Sequence, residues 1–438
     1  MNDMSRRAVL PPPTPPDEGE RPRSIRSGGA FGVLDIGTTK IACLIARVES
    51  DGSLRVLGSG IQKGRGVRGG AITDIEEAER AIRAAVGQAE DMADTRIRAV
   101  TVNLNCGQPE SRLFNVQWEM GNQAGGRPVE EQDIRRVVRE GRLRATTEGR
   151  EIIHALPISF AVDGMTGIAD PRGLHCTTLT ARLHVIDAAA TALRSLATCI
   201  ARCDLDVAGL VSAPMAAGLA TLVADERELG ATVIDMGGGT TGIAVFAEGH
   251  LQYTSTLQLG GTHVTNDLAR LLSTPLTDAE RQKTLYGSVH ASPEDDREML
   301  TVSLIGEEAH HFAKVPRSTI VSIIRPRMEE IFELVKDQLE TAGLGRASGM
   351  RVVLTGGACQ LGGVREMAAQ ILGRQVRLGL PAAIRGMPDS ISGHSFAAAS
   401  GMVRFVAGDG RTMQDIDFET ERRGGVLRRI VNFIKDRV

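Results

Sequence analysis

The chain has 438 residues, which is enough for about three domains of ordinary size. Hydrophobic residues make up 42% and charged residues 24%, and this balance excludes a disordered, collagen-like or coiled-coil chain. The net charge of −3 and the aromatic content of 3% argue against a nucleic-acid-binding surface, which needs excess positive charge or stacking rings. The six cysteines form no C-x-x-C pair and are expected to be buried thiols, and no apolar stretch is long enough to predict a transmembrane helix.

The first 29 residues contain six prolines and end in two glycines. Such a segment buries too little apolar surface to offset the entropy lost on ordering, so it is predicted to be a disordered tail. A proline run is also typical of a ligand for a partner protein, and the sequence leaves both interpretations open.

Three strands and a helix are predicted to open the folded part. The predicted strands are 31–37, 41–48 and 54–61. Asp51-Gly52 is a hairpin turn between the last two strands. Thr73 and Glu76 form a capping-box pattern, which predicts a helix that runs to about Met92.

A similar pattern returns later in the chain. The predicted elements are helices over 187–202 and 214–223 and strands over 231–236 and 243–247. The sequence Asp35-Ile-Gly-Thr-Thr and the sequence Asp235-Met-Gly-Gly-Gly-Thr-Thr are nearly the same motif, 200 residues apart. Because both occur between two predicted strands, they indicate two similar halves that face each other. A third glycine turn ends a predicted strand at Gly356-Gly357.

The repeated turns contain the groups that bind phosphate. Glycine lets backbone amides approach an anion closely, while hydroxyls and a cation complete its surroundings. The predicted phosphate-binding residues are Gly37, Thr38, Thr39 and Lys40 in the first turn and Gly237, Gly238, Gly239, Thr240 and Thr241 in the second. Asp35 and Asp235, at the ends of the preceding strands, are the predicted Mg²⁺ residues, directly or through water.

Two familiar phosphate motifs do not fit these turns. Gly32-x₄-Gly37 begins like a Walker A loop, but Thr38 stands where a lysine is required. Gly237-x-Gly239-x-x-Gly242 matches the dinucleotide pattern, yet the residues that follow predict a strand instead of the helix that this pattern needs. Both turns are therefore predicted to be β-hairpins.

Taken together, these motifs resemble the actin, Hsp70 and sugar-kinase superfamily. Its phosphate-1, phosphate-2 and adenosine motifs and its two connecting helices are similar to residues 34–40, 233–241, 353–358, 212–217 and 395–401, respectively. The resemblance implies an α/β, actin-like two-lobed fold with duplicated sheet and helix subdomains, and ATP with Mg²⁺ in the cleft between the lobes. It further implies adenosine contacts from Gly356 and Gly357, a ribose contact from Glu280 and a base contact from Lys283.

Two positions depart from the superfamily pattern. Relatives place a carboxylate before the proline of the first connecting helix, and here that position is Ala213. Slow or absent hydrolysis is therefore expected, and no catalytic residue is assigned. The phosphate-2 loop often continues with aspartate, and here Gly242 weakens the case for an extra Mg²⁺ contact.

Within the superfamily the chain is most similar to the FtsA family of bacterial cell-division proteins. The resemblance is carried by residues 225–230, by residues 151–186, which are similar to the FtsA subdomain called 1C, and by the C-terminal segment. The implied organisation is a disordered tail (1–29), subdomain 1A (30–105 with 187–212 and 378–407), 1C (106–186), 2A (213–255 with 312–377), 2B (256–311), a linker (408–423) and an amphipathic helix (424–438).

The last fifteen residues predict a helix that lies on a membrane surface. At 100° per residue the apolar side chains share an arc of about 160°, and residues 422–438 hold six basic residues and one acidic residue. Such a helix is too short to span a bilayer but suits an anionic surface, although docking on its own domain is the alternative. The predicted membrane-binding residues are Val426, Leu427, Arg428, Arg429, Ile430, Val431, Phe433, Ile434, Lys435 and Arg437.

The family resemblance implies an ATP-binding protein that polymerises and tethers the FtsZ ring to the cytoplasmic face of the inner membrane at the division site. It implies that residues 256–311 bind the FtsZ C-terminal peptide and that the 1C region recruits later division proteins. The alternatives are a small-molecule kinase of the same superfamily and another actin-like scaffold, of the pilus-assembly or chaperone type. Phosphorylation of a metabolite would favour the kinase, whereas vesicle binding that depends on residues 424–438 would favour the tether.

Overall fold

The computed structural model describes residues 29–121, 125–306, 312–344 and 351–408. The predicted N-terminal tail, apart from its last residue, lies outside the described residues. The predicted C-terminal helix and all but the first residue of the predicted linker also lie outside them.

The described residues form strands, α-helices and short 3₁₀ helices. The strands are β1 (Ala30–Ile36), β2 (Lys40–Val48), β3 (Leu54–Lys63), β4 (Val67–Arg68), β5 (Ala71–Ile72), β6 (Ala99–Leu104), β7 (Glu110–Glu119), β8 (Arg127–Pro128), β9 (Arg150–Val162), β10 (Met165–Ile168), β11 (His175–Cys176), β12 (Thr178–Ala189), β13 (Asp206–Ser212), β14 (Ala231–Met236), β15 (Thr241–Ala247), β16 (His250–Leu257), β17 (Met299–Ser303), β18 (Phe312–Pro316), β19 (Arg351–Thr355) and β20 (Gln375–Leu378). The α-helices are α1 (Ile75–Ala93), α2 (Glu131–Arg144), α3 (Ala190–Arg202), α4 (Ala213–Thr221), α5 (Ala224–Leu229), α6 (Gly261–Leu271), α7 (Leu276–Tyr286), α8 (Arg317–Thr341), α9 (Val364–Leu372) and α10 (Ala397–Ala407). The 3₁₀ helices are Gly357–Gln360, Asp389–Ile391 and His394–Phe396.

Two five-stranded sheets share one topology. In lobe I, which holds β1–β13 and α10, strands β1, β2 and β3 form antiparallel hairpins, and β1, β6 and β13 run parallel. In lobe II, which holds β14–β20, strands β14, β15 and β16 form the same hairpins, and β14, β19 and β20 run parallel. The orders β3-β2-β1-β6-β13 and β16-β15-β14-β19-β20 match position by position. The predicted duplication and the two-lobed α/β fold are therefore confirmed.

Helices α4 and α10 pack against each other between the two sheets. All nine residues of α4 are buried, as expected for a helix that is apolar all round. An ideal Cβ on Gly401 of α10 would lie only 1.7 Å from the carbonyl oxygen of Ala216 in α4, so the two backbones touch. The apolar cluster around them joins Leu44 of lobe I to Val233 and Val353 of lobe II. These two helices thus connect the lobes.

A separate unit is inserted between β6 and α3. Strands β10, β9, β12 and β7 form its four-stranded sheet, and α2 covers one face of that sheet over its own apolar cluster. At the base of the unit, Asp187 of β12 is 1% exposed and forms ion pairs with Arg112 of β7 and Arg150 of β9. Because a buried carboxylate is costly to leave unpaired, these ion pairs tie three strands of the unit to one another.

The uncovered face of the inserted sheet packs against β16 of lobe II. The backbone N–H of Thr254 in β16 donates to the Ser111 hydroxyl at 3.0 Å. His184 of β12 lies on this face, opposite the core residue Leu183, and is fully buried. Neither ring nitrogen of His184 has a hydrogen-bond partner, and burial lowers the pKa of its imidazole to about 4.

Several predicted boundaries differ from the structure by one to three residues, and three of them have a clear cause or consequence. Helix α1 is capped by Asp74 instead of Thr73, because the Asp74 carboxylate accepts from the N–H of Glu77 at 3.0 Å. Asp187 belongs to β12, where its two arginine partners hold it, so helix α3 begins at Ala190. Helix α4 ends at Thr221, before the predicted end at residue 223. None of the helices in the described ranges is long and apolar enough to cross a membrane.

We predict that His184 makes the folded state sensitive to mild acid. Its pKa falls from 6.5 to about 4 on folding, so the unfolded chain binds the proton first as the pH drops below 6.5. Its contribution to the free energy of unfolding should therefore decline between pH 6.5 and 4, by at most about 3 kcal/mol. The free energy of unfolding, measured with urea, should differ less between pH 7 and pH 5 for His184→Leu than for the wild type.

The exposed His175 of β11 provides the matched control for this comparison. For His175→Leu, the free energy of unfolding should change between pH 7 and pH 5 by as much as in the wild type. Equal pH dependence in the wild type and His184→Leu would contradict the prediction.

Candidate functional site

The two glycine turns of the repeated motif have the same local geometry. The N–H of Gly37 donates to the carbonyl of Lys40 at 2.9 Å, and the N–H of Gly237 donates to the carbonyl of Thr240 at 2.8 Å. Each turn is followed by a strand, so both are the predicted β-hairpins and neither is a P-loop or a dinucleotide loop. The shared register places Lys40 where the second turn has Thr240, so the cation is contributed by one turn alone.

The two turns face each other across the lobes at very short range. An ideal Cβ on Gly238 would lie 2.4 Å from the Thr39 side chain, and one on Gly239 would lie 2.3 Å from the Thr38 hydroxyl. A side chain at either position would therefore have to displace a threonine of the first turn. The result is a narrow cradle of backbone amides and threonine hydroxyls, which is the donor set that phosphate requires.

Asp35 and Asp235 lie at matching positions on β1 and β14, below the turns. Burial raises the pKa of Asp35, and the nearby Lys40 opposes that rise. Burial and then the charge of Asp35 raise the pKa of Asp235 to about 7. Two carboxylates so close to each other fit a divalent cation with oxygen ligands. No cluster of three or more His, Cys, Asp or Glu residues occurs in the described part of the chain, so Mg²⁺ held here would keep water or phosphate oxygens as further ligands.

The Lys40 side chain contacts the segment of lobe I that precedes α10. Its ammonium donates to the carbonyl of Ser395 and lies 4.1 Å from the centre of the Phe396 ring. Burial lowers the pKa of the Lys40 ammonium, while Asp35 and Asp235 raise it. The lysine thus connects the first turn to the segment that leads into α10.

The third glycine turn packs directly against the second aspartate. Gly356 has φ +85°, and an ideal Cβ there would lie 2.5 Å from Oδ1 of Asp235. Its N–H donates to the carbonyl of His394 at 3.1 Å, and Gly357 opens a 3₁₀ helix. The structure therefore brings the predicted adenosine motif to the predicted phosphate site.

Glu280 and Lys283 lie on helix α7 beside the second turn. The Lys283 ammonium donates to Glu280 at 2.6 Å, to the Thr265 hydroxyl at 2.8 Å and to the carbonyl of Gly261 at 3.1 Å. The N–H of Gly261 in turn donates to the carbonyl of Gly237 at 3.0 Å. The predicted ribose and base residues therefore form one polar network with the second phosphate turn.

One predicted phosphate residue points elsewhere. The Thr241 side chain is fully buried, and its hydroxyl donates to the carbonyl of Leu259 at 2.8 Å. Its role in this structure is to support the turn from behind, because β15 already begins at Thr241.

The two departures from the superfamily pattern meet in one contact. An ideal Cβ on Gly242 would lie 2.8 Å from Pro214 at the start of α4, so an aspartate at position 242 would displace this helix. Ala213, where relatives have a carboxylate, is 1% exposed. The close packing of α4 explains why both positions are small and apolar.

Sequence reasoning missed two residues that position the turns. Asn103 of β6 accepts from the N–H of Ile36 at 2.7 Å and donates to its carbonyl at 3.3 Å, which fixes the residue before the first turn. Thr262 donates to the carbonyl of Gly238 through both its N–H and its hydroxyl, each at 2.8 Å. A buried amide inside the apolar strand β6 was the available signal for Asn103, whereas Thr262 had none.

The ten predicted membrane-binding residues, 426–431, 433–435 and 437, lie outside the described residues.

Comparisons with known proteins identify relatives of this chain. A family model for "Cell division protein FtsA" matches residues 232–401, and one for "SHS2 domain inserted in FTSA" matches residues 107–187. The chain is 40% identical to cell division protein FtsA of Agrobacterium fabrum over 394 residues, which cover 87% of this chain and 88% of that protein. It is 39% identical to FtsA of Rhizobium meliloti, covering 92% and 91% of the two chains, and 31% identical to FtsA of Escherichia coli K12, covering 85% and 89%.

Two solved structures are similar in fold. The PilM-PilN type IV pilus biogenesis complex matches with a TM-score of 0.60 at 18% identity and covers 86% of this chain and 98% of the other. MreB5 of Spiroplasma citri bound to ADP matches with a TM-score of 0.52 at 14% identity and covers 91% of this chain and 100% of the other.

We predict that Gly356→Ala destabilises the fold more than the same change at Gly373. Both glycines have positive φ, +85° and +65°, so both substitutions carry the backbone strain of about 1 kcal/mol. Only at position 356 does the new Cβ collide with Asp235 and the Met236 backbone, whereas nothing lies within 4 Å at position 373. Urea unfolding should show an extra loss of about 1–3 kcal/mol for Gly356→Ala.

If the two variants lost the same free energy of unfolding, the close contact between Gly356 and Asp235 would have no effect on stability. Gly373, which ends helix α9, is the matched control because it shares the conformation without the contact.

Proposed function

The chain belongs to the FtsA family of cell-division proteins, and from this we propose that it is an actin-like, ATP-binding tether between the FtsZ ring and the inner membrane. The observation that carries the ATP-binding part of the proposal is the pair of facing glycine hairpins, with Asp35 and Asp235 beneath them, between two lobes of the same topology. A cradle of this shape suits the phosphates of a nucleotide, and the similar MreB5 structure is one bound to ADP.

In this proposal the site residues have distinct roles. Backbone amides of the two turns and the hydroxyls of Thr38, Thr39 and Thr240 bind the phosphates, while Lys40 supplies countercharge. Mg²⁺ beside Asp35 and Asp235 would neutralise the phosphate oxygens. The remaining assigned contacts are those of Gly356 and Gly357 with adenosine, Glu280 with ribose and Lys283 with the base.

Hydrolysis is proposed to be slow or absent. The first connecting helix starts with the buried Ala213, so it offers no carboxylate to orient an attacking water. Pro214 packs on Gly242 and leaves no room for a side chain there. Nucleotide would therefore serve chiefly to set the relation of the two lobes and self-association into filaments.

The predicted FtsZ-binding region displays large apolar side chains to solvent. The exposed large apolar residues in or next to 256–311 are Leu271, Leu276, Leu285, Met299, Ile305 and Phe312. Exposed apolar side chains of this kind can serve as contacts for a bound peptide. We therefore propose that the FtsZ C-terminal peptide binds this subdomain. The family resemblance further suggests that later division proteins bind the inserted unit between β6 and α3.

Membrane attachment is assigned to the C-terminal segment on its sequence pattern. The excess of basic residues in 422–438 suits anionic headgroups, each basic residue near the surface adding roughly 1 kcal/mol. One such helix binds weakly, so several of them on a filament would bind much more tightly. The proposed location is the cytoplasmic face of the inner membrane at the division site, as a peripheral protein.

We predict that the intact chain sediments with anionic vesicles in ATP and Mg²⁺ and carries the FtsZ C-terminal peptide with it. A chain truncated before Gly424 should stay in the supernatant, because it lacks the basic amphipathic segment. Both chains should bind the peptide in the absence of vesicles, which separates loss of membrane binding from loss of fold.

If neither chain sedimented with the vesicles, the membrane assignment would be contradicted. That result would favour the alternatives, a small-molecule kinase or another actin-like scaffold.

We also predict that Phe312→Ala weakens binding of the FtsZ peptide about tenfold, as truncation of an aromatic contact in an interface commonly does. Phe312 is 57% exposed, so its removal should leave stability nearly unchanged. Fluorescence anisotropy of a labelled peptide provides the measurement, and Leu229→Ala, at an 83% exposed site in α5, is the control. Unchanged affinity in both variants would remove Phe312 from the peptide site.

A further inference from the structure

Residues 64–74 link β3 to α1 and contain the small hairpin of β4 and β5. Arg68 pairs with Ala71, so Gly69 and Gly70 alone form the turn. Their φ angles are +55° and +76°, which is the pair of positive values that a tight two-residue hairpin needs. This hairpin belongs to lobe I.

The start of this segment is fixed to the first phosphate turn. The N–H of Gly64 donates to the carbonyl of Thr39 at 2.9 Å. An ideal Cβ on Gly64 would lie 2.4 Å from the carbonyl oxygen of Thr38, so the two backbones are in contact. A shift of the first-turn backbone would therefore move the base of the β4–β5 hairpin.

The tip of the same hairpin reaches lobe II. The nitrogen of Gly69 lies 3.0 Å from the position of an ideal Cβ on Gly239 in the second phosphate turn. An ideal Cβ on Gly69 would also lie 2.5 Å from Oε1 of Gln258, just after β16. The hairpin thus spans from one phosphate turn to the other.

The contact lies at a definite end of the second turn. The carbonyl of Gly237 accepts from Gly261, which is held by Lys283 at the proposed nucleoside end. Gly239, two residues on, faces Thr38 and Gly69 instead. The hairpin tip therefore lies at the end of the cradle away from the nucleoside, where the last phosphate of a bound nucleotide belongs.

We propose that the β4–β5 hairpin is a third phosphate-binding element, whose tip contacts the terminal phosphate of a nucleoside triphosphate through the Gly69 amide and the Arg68 guanidinium. The inference rests on the proposed function, since it assigns further residues to the same nucleotide site. It makes the hairpin the element that distinguishes a triphosphate from a diphosphate.

The chemistry of the tip suits this role. A glycine amide can approach a phosphate oxygen without a clashing Cβ. Arg68 precedes it in the chain and is exposed, and a guanidinium binds phosphate oxygens through paired N–H groups. A diphosphate lacks the group that these donors would contact, so its affinity should depend little on them.

The test is the ratio of ATP to ADP affinity, measured by isothermal titration with Mg²⁺ on the full chain. Arg68→Ala should weaken ATP binding about tenfold and ADP binding less than about twofold, as expected for the loss of a charge-assisted hydrogen bond. Arg65→Ala is the matched control, because Arg65 is an exposed arginine of the same segment whose ion-pair partner is Glu77, at 3.7 Å, on α1.

A second pair of variants tests the backbone contact. Gly69→Ala should lower the same ratio, whereas Gly52→Ala should not, since Gly52 has φ +79° in the β2–β3 turn with nothing within 4 Å. Hydrogen exchange should also be slower in residues 64–74 with ATP than with ADP.

Each outcome decides the inference. Lower ratios in Arg68→Ala and Gly69→Ala but not in their controls support it, and a lower ratio in one of them assigns the contact to that group. Ratios like those of the controls, together with equal exchange in ATP and ADP, overturn it while leaving the proposed function intact. If the wild-type chain bound neither ATP nor ADP, both this inference and the proposed nucleotide binding would be overturned.

Discussion

The architecture depends on the close packing of helices α4 and α10 between the two sheets. Gly401 and Ala216 bring the two helix backbones into direct contact, and Gly242 admits Pro214 at the start of α4. A single methyl group at either glycine would separate layers that must be close for the two phosphate turns to meet. The distance between the lobes is thus set by residues that have no polar group to offer a ligand.

With the lobes held at this distance, the centre of the molecule concentrates negative charge. Asp35 is buried, and burial followed by the charge of Asp35 disfavours the ionised form of Asp235. Lys40 offsets part of that cost, but it is also engaged by Ser395 and Phe396. A site of this kind gains from a divalent cation and loses from an apolar ligand.

The sequence was informative where the relevant contacts are short in range. The two Asp-Gly-Thr motifs predicted hairpins because a turn and its flanking strands are encoded within ten residues, and the repetition of the motif predicted the matching sheets. Contacts between distant segments were not predictable in this way. Asn103 fixes Ile36 from 67 residues away, Lys40 turns toward Ser395 across the chain, and the hydroxyl of Thr241 faces away from the cradle. The helix at Asp187 was misplaced for the same reason, since its arginine partners override local helix propensity.

The base of the inserted unit has an evolutionary consequence. The N–H of Ala189 donates to the carbonyl of Gly107 at 2.9 Å, so the chain enters and leaves the unit at adjacent points. A unit attached in this way can be gained, lost or exchanged in one genetic event without altering the path of the surrounding sheet. The same core could therefore carry a different inserted unit in different lineages, while the glycine turns and the two connecting helices remained as they were.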